Sequence, residues 1–181
     1  FHTQFGQNFL IRAAGPARIA EQTGDCVLEI GPGIGTLTRE LCARARQVEC
    51  VEIDRGLIPV LTETLYDFDN VRVTNADVMQ LDIAEFVRER FGGERITVCA
   101  NLPYYITTPV IMALLESGAP IDRITVMVQK EAAERLAAAP GSADYGAVTA
   151  AVAWYGRAER LFDVPAGCFI PRPKVDSAVI R

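Results

Sequence analysis

The sequence predicts an α/β fold: a mostly parallel sheet of seven strands, covered by helices on both faces, with an antiparallel hairpin at one edge. Two observations carry this. Short apolar runs alternate with segments of helical periodicity from residue 26 to residue 138, the spacing of right-handed crossovers between parallel strands. After Pro140 the alternation stops, and two strand-like runs follow one another with only a Pro-rich turn between them.

Taken in order, "CVLEIG" (26–31) is an apolar run ending in glycine and reads as a buried strand. "TLTRELCARA" follows, with Leu37, Leu41 and Ala45 at helical spacing. "QVECVEID" (47–54) is the second strand and "LIPVLTETL" the next helix. "VRVTNAD" (71–77), "IAEFVRERF" (83–91) and "RITVCA" (95–100) give strand, helix, strand. Thr108 reads as an N-cap with Pro109 at the first helical position, opening "VIMALLES". "RITVMVQ" (123–129) is the fifth strand and "KEAAERLAA" its helix. Beyond the loop "PGSADYG" lie the helix "AVTAAVAWY" and the strands "RAERLFDV" and "KVDSAVIR", which form the hairpin.

A chain of 181 residues suits one domain with a full core. No window approaches 18 consecutive apolar residues, and the opening "FHTQFGQNFLIR" lacks the pattern of a signal peptide. Five dispersed cysteines (Cys26, Cys42, Cys50, Cys99, Cys168) argue for reduced thiols in a cytoplasmic protein rather than for disulfides or zinc. A single histidine, His2, speaks against a histidine-based metal site or triad, so no metal is expected. The net charge of −5 counts mildly against nucleic-acid binding, yet "PRPKVDSAVIR" carries Arg172, Lys174 and Arg181 against one acid.

"EIGPGIGTLT" places Gly31, Gly33 and Gly35 between the first strand and its helix, where a ligand can approach the backbone closely. A dinucleotide loop would need G-x-G-x-x-G, and the third position is Thr36. The spacing G-x-G-x-G resembles instead the S-adenosylmethionine loop of class I methyltransferases. The second strand ends in "VEID", and Glu52, 21 residues after Gly31, can accept hydrogen bonds from ribose hydroxyls. Asp54 competes for that role, but the residues after it open a helix. Asp77, ending the third strand, reaches the same crevice and can receive an adenine amino group.

The fourth strand ends in "ANLPY". An aromatic amine is a poor nucleophile because its lone pair is delocalised. The Asn101 side-chain carbonyl and a backbone carbonyl held rigid by Pro103 can accept both N–H groups and aim the lone pair at a sulfonium methyl. Tyr104 offers a stacking face for the base.

"NLPY" resembles the [DNS]-[PIL]-P-[YF] signature of amino-methyltransferases. With "FGQNFL", "EIGPGIGTLT", "VEID", "NADV", "NLPYYITTP" and "FIPRPKVDSAVIR", in order and across essentially the whole chain, the sequence is similar to the ribosomal RNA small-subunit adenine N6,N6-dimethyltransferases of the KsgA type. The resemblance implies a class I, Rossmann-like methyltransferase fold and S-adenosyl-L-methionine as cofactor. It also implies dimethylation of two adjacent adenosines in a hairpin loop near the 3′ end of small-subunit ribosomal RNA. Asn8 and Leu10 would line the cofactor site, with Gly31 and Gly33 at the methionine portion, Glu52 at the ribose and Asp77 at the adenine. Asn101, with Leu102 and Pro103, would face the methionine amine and the target nitrogen. Tyr104 would stack on the target adenine, and Phe169, read as an exposed aromatic in its turn, would cover the other face. Arg172 and Lys174 would contact phosphates. Residues 1–181 are expected to form the catalytic domain, without the small helical C-terminal domain typical of the family, and to be monomeric when free.

Two rivals stand beside this reading. Large-subunit adenine methyltransferases of the macrolide-resistance type share the signature, although Leu102 and "FIPRPKVDSAVIR" favour the small-subunit branch. A non-catalytic role in ribosome assembly is the other, and the intact Asn101-Leu102-Pro103-Tyr104 argues against lost catalysis.

Overall fold

The computed structural model describes residues 9–10 and 14–181. Seven strands form one sheet: β2 (Cys26–Ile30), β3 (Gln47–Glu52), β4 (Val71–Asn75), β5 (Ile96–Asn101), β6 (Ile121–Gln129), β7 (Arg160–Val164) and β9 (Ser177–Ile180). Their order is β4-β3-β2-β5-β6-β9-β7. The first five are parallel, and β9 runs antiparallel between β6 and β7. The hairpin is present, but its second strand is inserted inside the sheet and its first forms the edge.

Among the described residues seven α-helices accompany the sheet: α1 (Ala14–Ala20), α2 (Thr36–Cys42), α3 (Ile58–Thr64), α4 (Ile83–Phe91), α5 (Thr107–Glu116), α6 (Lys130–Leu136) and α7 (Ala147–Tyr155). Every residue of β2 is buried, as a central parallel strand requires. Alternate residues feed two cores. Leu28 and Val98 join the side chains of α4 and α5 on one face, while Val27 and Cys99 join those of α1 and α2 on the other. Local chemistry sets the helix ends. In α4, the Asp82 carboxylate accepts the Glu85 amide at 2.9 Å, Ile83, Phe86, Val87 and Phe91 are buried, and Gly92 at φ 63° ends the helix. No helix among the described residues is long and apolar enough to cross a membrane.

Two features differ from the sequence reading. Thr108 is not the N-cap of α5. The chain already turns at Pro103, whose carbonyl accepts the Ile106 amide at 3.1 Å and the Thr107 hydroxyl at 3.3 Å. The helix therefore starts at Thr107, with Pro109 still in its first turn, where no intrahelical amide is needed. The segment between β7 and β9 is more than a turn. It contains β8 (Phe169–Ile170), which pairs antiparallel with β1 (Phe9–Leu10) in a separate two-stranded sheet.

Strand order reverses between β2 and β5, so their carboxyl ends flank the crevice where open α/β sheets bind ligands. Gly31 and Asn101 stand there.

Candidate active site

Strand ends build this site. Gly31, Gly33 and Gly35 have φ of 69°, 61° and 88°, a region that side chains rarely adopt. At Gly33 a Cβ would also sit 3.3 Å from the Phe9 ring, so the loop and β1 are in close contact. Glu52, at the end of β3, is 2% exposed. Its two oxygens accept the Gly33 amide at 3.1 Å and the Asp54 amide at 2.8 Å, which fixes the glycine loop against β3. Burial, with like charge from Asp54, pushes the Glu52 carboxyl above its ordinary range, and those amides oppose the shift. Asp54 caps the short turn that follows, accepting the Gly56 amide at 2.8 Å. One oxygen of Asp77 likewise accepts the Met79 amide at 2.9 Å.

Two compartments share a wall of Gly31, Gly33, Asn101, Leu102 and Pro103. The larger, about 140 Å³, brings together Glu52, Ile53, Asp77, Val78 and Tyr105. The smaller, about 50 Å³, is lined by Phe9, Leu10, Glu29, Tyr104 and Phe169 among others. That volume holds on the order of a few water molecules. The consecutive tyrosines face different compartments: Tyr104 the smaller, Tyr105 the larger. A bigger cavity of about 460 Å³, between α5, β6 and α7, shares no residue with either.

Leu10, Gly31, Gly33, Glu52, Asp77, Asn101, Leu102, Pro103, Tyr104 and Phe169 thus all line the crevice. Asn8 and His2 lie outside the described residues. Arg172 and Lys174 are exposed on the loop between β8 and β9 and line neither compartment. Phe169 requires a correction: it is 3% exposed, not an exposed aromatic. Pairing of β8 with β1 sets it opposite Leu10, in the core that β6 and β9 also enter.

Glu29, which the sequence reading left aside, forms part of the smaller compartment. It is fully buried, accepts the Cys50 thiol at 3.7 Å, and its carboxyl is pushed up to about 7 by burial, partly offset by that thiol. An acid inside the apolar run "CVLEI" was the available signal. Among the described residues no cluster of His, Cys, Asp and Glu suited to a metal ion occurs, and all five cysteines are free thiols.

Residues 1–181 match the family described as "Ribosomal RNA adenine dimethylase". The chain belongs to the ribosomal RNA adenine dimethylase family. The chain is similar to the "Ribosomal RNA small subunit methyltransferase A" of Lachnoclostridium phytofermentans, 55% identical over all of this chain and 64% of that protein. Two solved structures share its fold closely. The 23S rRNA methyltransferase ErmE is 34% identical with a TM-score of 0.82, over 96% of this chain and 68% of that one. A dimethyladenosine transferase from Plasmodium falciparum is 28% identical with a TM-score of 0.79, over 95% of this chain and 62% of that one. The chain spans about 64% of the length of the curated relatives it matches.

Proposed function

We propose that residues 1–181 are the catalytic domain of a small-subunit ribosomal RNA adenine-N6,N6-dimethyltransferase. Its substrate is two adjacent adenosines in a hairpin loop near the 3′ end of that RNA, its methyl donor S-adenosyl-L-methionine, and its place of action the cytoplasm. The observation that carries the reading is the position of Asn101-Leu102-Pro103-Tyr104: Asn101 ends β5 at the reversal of strand order, Asn101, Leu102 and Pro103 stand in the wall shared by the two compartments, and Tyr104 faces the smaller one.

The residues fit an adenosyl donor. Glu52 spends one acceptor site of each oxygen on a backbone amide, and a carboxylate has about four, so two remain for ribose hydroxyls. Asp77 keeps one oxygen outside its turn for an adenine amino group. Gly31 and Asn101 take the methionine end, with Leu10 nearby and Asn8 assigned to the same region. When bound, S-adenosyl-L-methionine supplies an electrophilic sulfonium methyl.

The chain's own work is to hold the amine. The turn consumes the Pro103 carbonyl and leaves that of Leu102, fixed by the following proline, outside its hydrogen bonding. This carbonyl and the Asn101 side-chain oxygen accept the two N6 hydrogens, which favours a pyramidal nitrogen with its lone pair aimed at the methyl. Tyr104 stacks on one face of the base and Phe169 borders the other. The proton leaves after transfer, from a cationic nitrogen, so no general base is required. A loop adenosine is unstacked more cheaply than one in a duplex. Arg172 and Lys174 meet the phosphates.

Labelled S-adenosyl-L-methionine, offered with small and large subunits from cells lacking the modification, tests the reading. Dimethyladenosine in the small subunit alone is the expected product. Label confined to the large subunit would reassign the substrate to that of ErmE-like enzymes, and label in neither would overturn the reading.

A further inference from the structure

Tyr104 and Phe169 come from distant segments, yet the gap between them decides whether a base fits. What holds each ring is therefore part of the machinery. The Tyr104 hydroxyl lies 3.4 Å from Ser177 Oγ, with either oxygen able to donate. Ser177 is 1% exposed and opens β9, where its backbone pairs with Gln129 of β6 on one side and Val164 of β7 on the other. Its neighbours along the strand, Ala178, Val179 and Ile180, are apolar and buried. A buried hydroxyl in such a strand is costly unless it has a partner, and the Tyr104 phenol is that partner.

Phe169 follows a short turn over Ala166–Cys168. That turn is pinned by Asp176, whose carboxylate accepts the Ala166 amide at 2.8 Å, while the Asp176 carbonyl accepts the Lys130 amide at 3.0 Å. Asp176, just before β9, and Ser177, its first residue, thus reach both aromatic walls through their side chains, one by way of the turn before Phe169 and the other at the Tyr104 hydroxyl.

We infer that Asp176 and Ser177 are positioning residues that set the gap between Tyr104 and Phe169. The inference rests on the proposed stacking of the target base between those rings. Neither residue touches the reacting atoms. At 3.4 Å the Ser177 contact is long for an O–H···O bond, so it limits the tilt of the Tyr104 ring without clamping it. Its effect is correspondingly modest.

The test combines a spectroscopic readout with a double-mutant cycle. With 3-fluorotyrosine placed at position 104, Ser177→Ala should shift the fluorine resonance. The same substitution should lower kcat on undermethylated small subunits about three- to ten-fold, with the dissociation constant for S-adenosyl-L-methionine held within about two-fold. In a Tyr104→Phe background Ser177→Ala should cost nothing more, because the hydroxyl then has no partner to orient. Asp176→Ala should lower kcat by a similar factor, and Asp176→Asn, which keeps an acceptor for the Ala166 amide, should restore most of it. An unmoved resonance would overturn the inference. So would equal costs of Ser177→Ala in both backgrounds, or cofactor affinity and melting temperature falling in step with kcat. Failure of the wild-type chain to label small subunits would instead count against the proposed function, while the fluorine shift would still judge the Ser177–Tyr104 contact.

Discussion

The two compartments of the crevice are built differently, although they share Asn101. The larger one takes its polar groups from the ends of adjacent parallel strands, Glu52 on β3 and Asp77 just beyond β4, Asp77 held by an amide two residues on and Glu52 by the Asp54 amide and that of Gly33 in the neighbouring glycine loop. Such a site is formed as soon as the sheet is formed. The smaller one adds to the end of β2 and the glycine loop two parts that come from distant segments: the β1–β8 pair, which brings Phe9, Leu10 and Phe169, and the Asn101–Tyr104 tetrapeptide, whose Tyr104 hydroxyl lies near Ser177. Its volume is about 50 Å³ against about 140 Å³. Under the proposed function the difference assigns tasks: the strand-end site takes the nucleoside-bearing donor, and the one bounded by distant segments takes a base drawn out of RNA.

Substitution at the shared wall should have the largest effect. Asn101→Ala removes an acceptor that orients the amine, and losses of this kind run to about 10²–10³-fold in kcat. Single-turnover methylation of small subunits measures it, and a loss below ten-fold would mean that the amine is held elsewhere.

Next comes the floor of the smaller compartment. Glu29 in the folded chain titrates near 7, above its ordinary 4.5. The folded state therefore binds this proton more tightly than the unfolded chain. The associated stability is fully present below about pH 4.5, falls as pH rises toward 7, and is lost above it, for a total of ~3 kcal/mol. Glu29→Gln keeps a neutral isostere. Denaturant titrations should find the variant more stable than wild type at pH 8 and the two converging near pH 4.5. Parallel pH profiles would show that Glu29 is not held neutral by burial.

Tyr104→Ala should lower kcat/KM for RNA by roughly 5- to 150-fold, the worth of one stacked base at about 1–3 kcal/mol. A smaller effect is expected at the rim. Replacing Arg172 and Lys174 by Ala should weaken RNA binding a few-fold and flatten its dependence on salt by about one unit of log–log slope per lost phosphate contact. An unchanged slope would remove them from the RNA path.

The same contrast explains how much the sequence revealed. Strand-end groups were legible because each closes a short apolar run: glycines after "CVLEI", Glu52 in "VEID", Asp77 in "NAD", Asn101 in "ANLPY". Glu52 is favoured over Asp54 because the residues after Asp54 open a helix, and in the structure Asp54 caps a short one. The antiparallel hairpin was legible from two successive strands, but not that β9 slips inside β7. The β1–β8 pair was invisible, since two-residue strands carry no periodicity. With it went the burial of Phe169, which depends on that pairing. Thr108 had the right chemistry for a cap, but tertiary geometry at Pro103 started the helix earlier. The Tyr104–Ser177 contact spans 73 residues, beyond any local pattern.

The division of labour itself is tested most directly by measuring two constants on two variants. Glu52→Gln and Tyr104→Ala would each be assayed for S-adenosyl-L-methionine binding by calorimetry without RNA, and for KM toward undermethylated small subunits at saturating donor. The account predicts that Glu52→Gln weakens donor binding about ten-fold or more, the worth of hydrogen bonds to a charged group, and leaves the RNA KM within two-fold. It predicts the reverse for Tyr104→Ala. Loss of donor affinity in Tyr104→Ala as large as in Glu52→Gln would contradict it, because the crevice would then be one site rather than two compartments sharing a wall.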